Sequence, residues 1–98
     1  KYNKVRIRKG MVLSNEPGFY MENKYGIRIE NLIYADELKK KLIFKNLTFA
    51  PIDIDLVNFK MLNLQEKRYL FGYHLDIYSK ISKFLNRKEK NWLIRLIK

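Results

Sequence analysis

Cysteine is absent from this chain and histidine occurs once. The first absence excludes disulfides and thiolate metal sites, and fits a reducing compartment. The second leaves His74 as the one imidazole available to a metal or a proton. Long apolar runs are missing too. None approaches the roughly 20 residues of a membrane span, and the basic start Lys1-Tyr2-Asn3-Lys4 leads into no signal-type apolar core. A soluble, cytoplasmic chain with no membrane partner is therefore expected. Acidic residues are scarce, 10 against 21 Lys and Arg, for a formal net charge of +11. Clustered positive charge binds phosphates by releasing counterions. Here it is spread along the chain, with local groups at Lys1 to Lys9, Lys39-Lys40-Lys41 and Arg87-Lys88, and no recognisable nucleic-acid module contains it. Charge alone speaks to solubility and non-specific attraction, so no nucleic-acid partner is expected.

What is present suffices for one modest core: 98 residues, 47% hydrophobic and 14% aromatic. The first residue is not methionine, and the chain opens within a basic strand or loop, so a piece of something longer is expected.

Two halves differ in texture. Up to about Ile54, short β-type runs alternate with turn residues: Val5-Arg6-Ile7, Met11-Val12-Leu13, Gly26 to Tyr34, Leu42-Ile43-Phe44 and Leu47-Thr48-Phe49. This half reads as an antiparallel sheet punctuated by Gly10, Pro17-Gly18 and Asn23-Lys24-Tyr25-Gly26, the last suiting a hairpin turn with a residue at positive φ. Asp36 to Lys41 reads as an exposed loop. From Asn63 the period becomes helical. Asn63 with Glu66 has the form of a capping box, and Leu70, Phe71, His74, Ile77, Tyr78, Ile81, Phe84 and Leu85 recur as one amphipathic face, predicting a helix over 64–85. Gly72 within it either costs about 1 kcal/mol against Ala or marks close packing. Asn86 with Glu89 repeats the capping form, and Trp92, Leu93, Leu96 and Ile97 give a second helix its apolar face. The fold class is α+β, with strands over 1–57 and helices over 58–98.

Two carboxylates carry the chemistry. Glu16 ends an apolar strand before Pro17-Gly18, where a sharp turn would aim it. Glu30 shares a strand face with Arg28 and Leu32 while Ile27, Ile29 and Ile33 project the other way. Carboxylate oxygens suit hard or borderline divalent ions, and a bridging carboxylate holds two of them roughly 3.5–4 Å apart. Further ligands are scarce: Asp36 lies in the charged loop, Asp53 and Asp55 between Pro51 and Leu56, and His74 reads as a core histidine on the apolar helix face.

The segments Gly10-Met11-Val12-Leu13-Ser14-Asn15-Glu16-Pro17-Gly18-Phe19-Tyr20 and Gly26-Ile27-Arg28-Ile29-Glu30-Asn31 resemble the last two signature segments of the Xaa-Pro aminopeptidases, members of the pita-bread metallopeptidase family M24. Leu47-Thr48-Phe49-Ala50-Pro51-Ile52, Tyr73-His74 and Trp92-Leu93 are similar to the C-terminal part of the longer, eukaryote-like type. The resemblance implies a partial pita-bread fold, an antiparallel sheet followed by two C-terminal helices. It implies that Glu16 ligates one metal and shuttles the proton of the attacking water, that Glu30 bridges both metals, that Arg28 braces the site and that Tyr20 lines the cleft. Two divalent ions are implied, manganese first, with zinc or cobalt as alternatives. The implied reaction removes the N-terminal residue from peptides with proline at the second position.

The family's aspartate and histidine ligands lie upstream of the Glu16 motif, so the chain is expected to be inactive alone. The remainder of the peptidase domain, in cis or trans, is then the expected partner, and uncovered apolar surface is expected to make the isolated chain marginal or to drive association, as in a homodimer. A non-catalytic pita-bread module that binds proteins, a remnant of a broken gene and a small basic nucleic-acid binder stand as alternatives.

Overall fold

The computed structural model describes residues 4–97; the basic start Lys1-Tyr2-Asn3 lies outside the described residues. The chain divides into two compact units, Lys1–Thr48 and Phe49–Lys98.

In the first unit, β1 (Val12–Asn15) pairs antiparallel with β4 (Asn31–Leu38), which pairs with β5 (Lys41–Asn46). β2 (Gly18–Met21) and β3 (Tyr25–Arg28) form a separate two-stranded sheet. The β1–β4 and β2–β3 pairs belong to one long hairpin. Asn15 stands opposite Asn31 and Gly18 opposite Arg28, so the register is unchanged across the gap and places Glu16 opposite Glu30 and Pro17 opposite Ile29. The gap has a chemical cause. Ile29 N–H donates to the Pro17 carbonyl at 3.1 Å, but Pro17 has no N–H to return the bond, and the ladder breaks there.

Several expectations need correction. Gly26 to Tyr34 is not one strand, because the ladder breaks at Ile29-Glu30. Pro17-Gly18 is not a sharp turn; Gly18 opens β2 and the strand path continues. The hairpin turn does fall between Met21 and Tyr25, but the positive φ belongs to Asn23, at 58°, and Gly26 lies inside β3. Asp36 to Lys41 is not a loop. Asp36 and Glu37 sit in β4 opposite Ile43 and Leu42. Their polarity hid the strand, yet Asp36 gains Lys45 as an ion-pair partner, with Lys9 at 3.9 Å. The Lys45 side-chain bond, with the Glu37 amide, holds the Asp36 carboxyl below its ordinary pKa. Val5-Arg6-Ile7 forms no strand, since β-type composition makes one only within a ladder. Leu47-Thr48-Phe49 does not extend β5: Leu47 N–H still donates to the Leu32 carbonyl at 2.8 Å, but the Leu32 amide goes to Thr48 Oγ1 at 2.8 Å in place of a backbone acceptor, and the ladder ends.

In the second unit, α1 (Leu64–Ile81) and α2 (Arg87–Leu96) both begin with complete capping boxes, at Asn63 with Glu66 and Asn86 with Glu89. α1 ends at Ile81 rather than Leu85, because Ser82–Phe84 tightens into a 3-10 turn. Its buried side chains are Leu70, Tyr73, His74 and Ile77, joined in the core by Leu93 of α2, whereas Phe71 and Phe84 are exposed. The Tyr73-His74 pair holds the segment that precedes the helices. Tyr73 Oη donates to the Ala50 carbonyl at 2.6 Å, and Ile52 N–H donates to His74 Nε2 at 3.1 Å. Lys80 Nζ lies 4.6 Å from the Phe49 ring centroid. These bonds tie residues 49–52 to α1, within the second compact unit.

Gly72 has open space where a Cβ would sit, which excludes close packing as its reason. Gly72→Ala should therefore raise the denaturation midpoint, by about 1 kcal/mol of stability. Lys39 and Lys40 form the β4–β5 turn with φ of 48° and 63°, a left-handed pair that Asn-Gly adopts readily and lysine does not. Replacing them with Asn-Gly should stabilise the chain by about 1–2 kcal/mol in urea titrations.

His74 titration sets a further expectation. Burial holds the imidazole below its ordinary pKa, against an opposing backbone contribution at Ile97. The Ile52 amide also needs an unprotonated Nε2. Because the folded pKa is depressed, the stabilisation is present above the unfolded value of about 6.5 and is lost as pH falls through the folded value. Melting temperatures recorded from pH 8 to 5 should fall at the acid end, and His74→Gln should flatten that fall.

Candidate metal centre

Glu16 and Glu30 occupy the break in the hairpin, and the hydrogen-bond pattern shows how close the register brings them. Ala35 N–H donates to the Met11 carbonyl and Ile29 N–H to the Pro17 carbonyl. Met11/Ala35 and Pro17/Ile29 are thus bonded pairs, and Glu16/Glu30, one step from Pro17/Ile29, is an unbonded pair. Unbonded pairs are the closer kind, with Cα atoms about 4.5 Å apart and side chains closer than in a bonded pair. The proline that breaks the ladder also restricts the residue before it to extended backbone, so Glu16 is held in line by Pro17. That restriction, rather than a turn, fixes the direction of its carboxylate.

Alternation assigns one face of the ribbon to Glu16, Gly18 and Tyr20 on one strand and to Glu30, Arg28 and Gly26 on the other. Arg28 bridges the two acids, with Nη1 3.9 Å from Glu16 Oε2 and Nε 3.6 Å from Glu30 Oε2. All three side chains are about half exposed. Like charges directly opposite each other destabilise a ribbon, and exposed ion pairs at this range each contribute about 0–1 kcal/mol. One guanidinium against two carboxylates leaves a net negative charge on a small, open face. That arrangement suits a cation.

Two carboxylates do not complete a metal site. Among the described residues, no group of three or more His, Cys, Asp or Glu side chains is placed to hold a metal ion. Asp36 is engaged by Lys45. Asp53 caps a 3-10 turn by accepting the Asp55 amide at 3.0 Å. His74 is committed to the Ile52 amide. The donors present are hard oxygens, which fit a divalent ion such as manganese, and they supply one part of such a site.

Tyr20 stands opposite Gly26. Its ring lies back across both glycines of the face: a Cβ at Gly26 would meet Tyr20 Cδ1 at 2.6 Å, and one at Gly18 would meet the Tyr20 hydroxyl at 2.7 Å. The sequence pattern marked these glycines only as punctuation between strands. Their signal was the spacing Gly18-x-Tyr20 with a glycine in register on the partner strand, which is legible only once the register is known. The other face of the ribbon is apolar and uncovered, with Phe19, Tyr25, Ile27 and Ile29 between 46% and 58% exposed.

Residues 40–98 match the model of the C-terminal region of peptidase M24, and residues 1–37 match metallopeptidase family M24. The chain is 38% identical over 103 residues to a probable Xaa-Pro aminopeptidase P of Laccaria bicolor, covering 95% of this chain and 16% of that protein. It is 38% identical over 105 residues to a probable Xaa-Pro aminopeptidase P of Ajellomyces capsulatus, covering 97% of this chain and 17% of that one. Among solved structures it is similar to the X-prolyl aminopeptidase of Caenorhabditis elegans, described as a cytosolic enzyme with a di-nuclear active site. The TM-score is 0.83 at 34% identity, over 94% of this chain and 17% of that one. The chain thus spans about a sixth of the length of the relatives it matches. It belongs to metallopeptidase family M24, with the pita-bread fold of the Xaa-Pro aminopeptidases.

Proposed function

We propose that this chain supplies the last carboxylate ligands of a di-nuclear metal centre in a cytoplasmic Xaa-Pro aminopeptidase, and that the remaining ligands come from the rest of the peptidase domain. The observation that carries this reading is the placement of Glu16 directly opposite Glu30 on one open face, with Arg28 between them.

Two divalent cations, of which manganese is the one we propose, would supply Lewis acidity and lower the pKa of a shared water. The chain's own groups have separate tasks. Glu30, with two carboxylate oxygens, would help to hold both ions. Glu16 would help to hold one ion, and its carboxylate would take up the proton of the attacking water. Arg28 offsets the repulsion of the two acids. Tyr20 lines the cleft where the substrate's second residue, proline, is placed. The bond cleaved precedes the prolyl nitrogen, which leaves as an amine and must gain a proton as the bond breaks. Glu16 can return the proton it took.

In the whole protein that carries this segment, Glu16→Gln and Glu30→Gln should each lower kcat/KM on a dipeptide or tripeptide with proline second by about 10²–10⁴-fold. Manganese content, read by atomic absorption, should fall in the same variants. The chain alone should neither turn over such peptides nor bind manganese tightly by calorimetry. Tight binding and turnover by the chain alone would overturn the proposal that its site is incomplete; full activity in both variants would overturn the metal-ligand assignment.

A further inference from the structure

Tyr20 is 64% exposed, and a tyrosine so open to solvent ordinarily samples several rotamers on the nanosecond scale. Here the ring lies flat along the ribbon. It covers Gly26 on the partner strand and runs back over Gly18 on its own, so that its hydroxyl rests above Gly18. Gly18 is opposite Arg28 and two residues from Glu16, on their face. The bed exists because neither glycine has a Cβ. A methyl group at Gly26 would stand 2.6 Å from Tyr20 Cδ1 and 3.1 Å from Cε1. One at Gly18 would stand 2.7 Å from the hydroxyl, 2.8 Å from Cε2 and 2.9 Å from Cζ. All but one of these distances are too short for any real contact, so the ring would have to lift.

Conformational need does not explain these glycines. Neither has a positive φ; Gly10 is the glycine that does. Both sit inside strands, where glycine is a poor choice because it loses backbone entropy and offers no side chain to pack. An aromatic ring laid over a strand glycine recovers part of that loss, and the glycine in turn gives the ring a single resting place.

We infer that Gly18 and Gly26 are positioning residues that hold the Tyr20 hydroxyl over the face bearing Glu16, Arg28 and Glu30. The inference rests on the proposed aminopeptidase reading for its consequence, though not for its geometry. Held in this way, the phenol meets a bound peptide at a fixed place beside the carboxylates without first losing rotamer freedom. Displacement of a substrate-positioning group by about 1 Å costs on the order of 10²-fold in rate.

The test uses the whole protein with Tyr20→Phe, Gly26→Ala and the double variant, each checked for an unchanged melting temperature. Gly26→Ala should lower kcat/KM by about 10²-fold, with the same division between kcat and KM as Tyr20→Phe, and should add nothing further in the Tyr20→Phe background. Losses that multiply in the double variant would mean that Gly26 acts structurally and not through Tyr20, and would overturn the inference. So would an intact Gly26→Ala beside an impaired Tyr20→Phe. If Gly26→Ala fails to fold, Gly18→Ala, which meets the hydroxyl end of the ring, carries the same expectation. A silent Tyr20→Phe would instead overturn the role given to Tyr20 in the aminopeptidase reading. The geometry has its own readout in the whole protein: the Gly26 Hα resonances should be shifted upfield by the ring and return toward ordinary values in Tyr20→Leu. Unshifted Gly26 protons in the unsubstituted chain would overturn the placement.

Discussion

The enforced opposition of Glu16 and Glu30 is the constraint on which the chemistry of this chain depends. Two acids facing each other across an antiparallel ribbon cost stability, and Arg28 at 3.6–3.9 Å offsets that only in part. The ribbon accepts the cost because its register is fixed from both ends. β1 and β4 lock one side of the break, β2 and β3 the other, and both sides keep the same count. Pro17 removes one ladder bond at the site itself, while confining Glu16 to extended backbone. A position that would be a defect in an ordinary sheet is here held from both directions.

The sequence made the chemistry legible before the architecture. Glu16, Arg28 and Glu30 stand out through the segments around Pro17 and Ile29, and strand alternation alone puts Arg28 and Glu30 on one face. Cross-strand register is not written in either strand by itself. It follows from the turn at Glu22-Asn23-Lys24, whose left-handed residue is Asn23 and not the more obvious Gly26. For the same reason Gly18 and Gly26 read as turn residues, although their missing Cβ atoms serve the Tyr20 ring. The strand through Asp36 and Glu37 carries no apolar alternation, because Asp36 is paired there with Lys45 and Lys9.

Helical segments were easier, because their signals are local. Asn63 with Glu66 and Asn86 with Glu89 are three residues apart, and each closes its capping box without reference to the rest of the fold. What sequence period could not give is the end of α1 at Ile81 or the bonding of Tyr73 and His74 to Ala50 and Ile52. That bonding explains two separate family-like segments at once. The Ala50 to Ile52 part of the first segment and the Tyr-His pair are halves of one clasp, made of a phenol to a carbonyl and an amide to an imidazole. His74, the single histidine, is used for structure.

The register at the break is the claim from which everything else about the site follows, and it can be read directly. In a nuclear Overhauser spectrum of the labelled chain, an unbonded antiparallel pair gives a strong Hα–Hα cross-peak because its Cα atoms lie about 4.5 Å apart. The account predicts such peaks between Glu16 and Glu30, between Gly18 and Arg28, and between Tyr20 and Gly26. A peak from Glu16 to Ile29 or to Asn31 instead would mean a slip of one residue. That slip would send the two carboxylates to opposite faces of the ribbon and contradict the site described here.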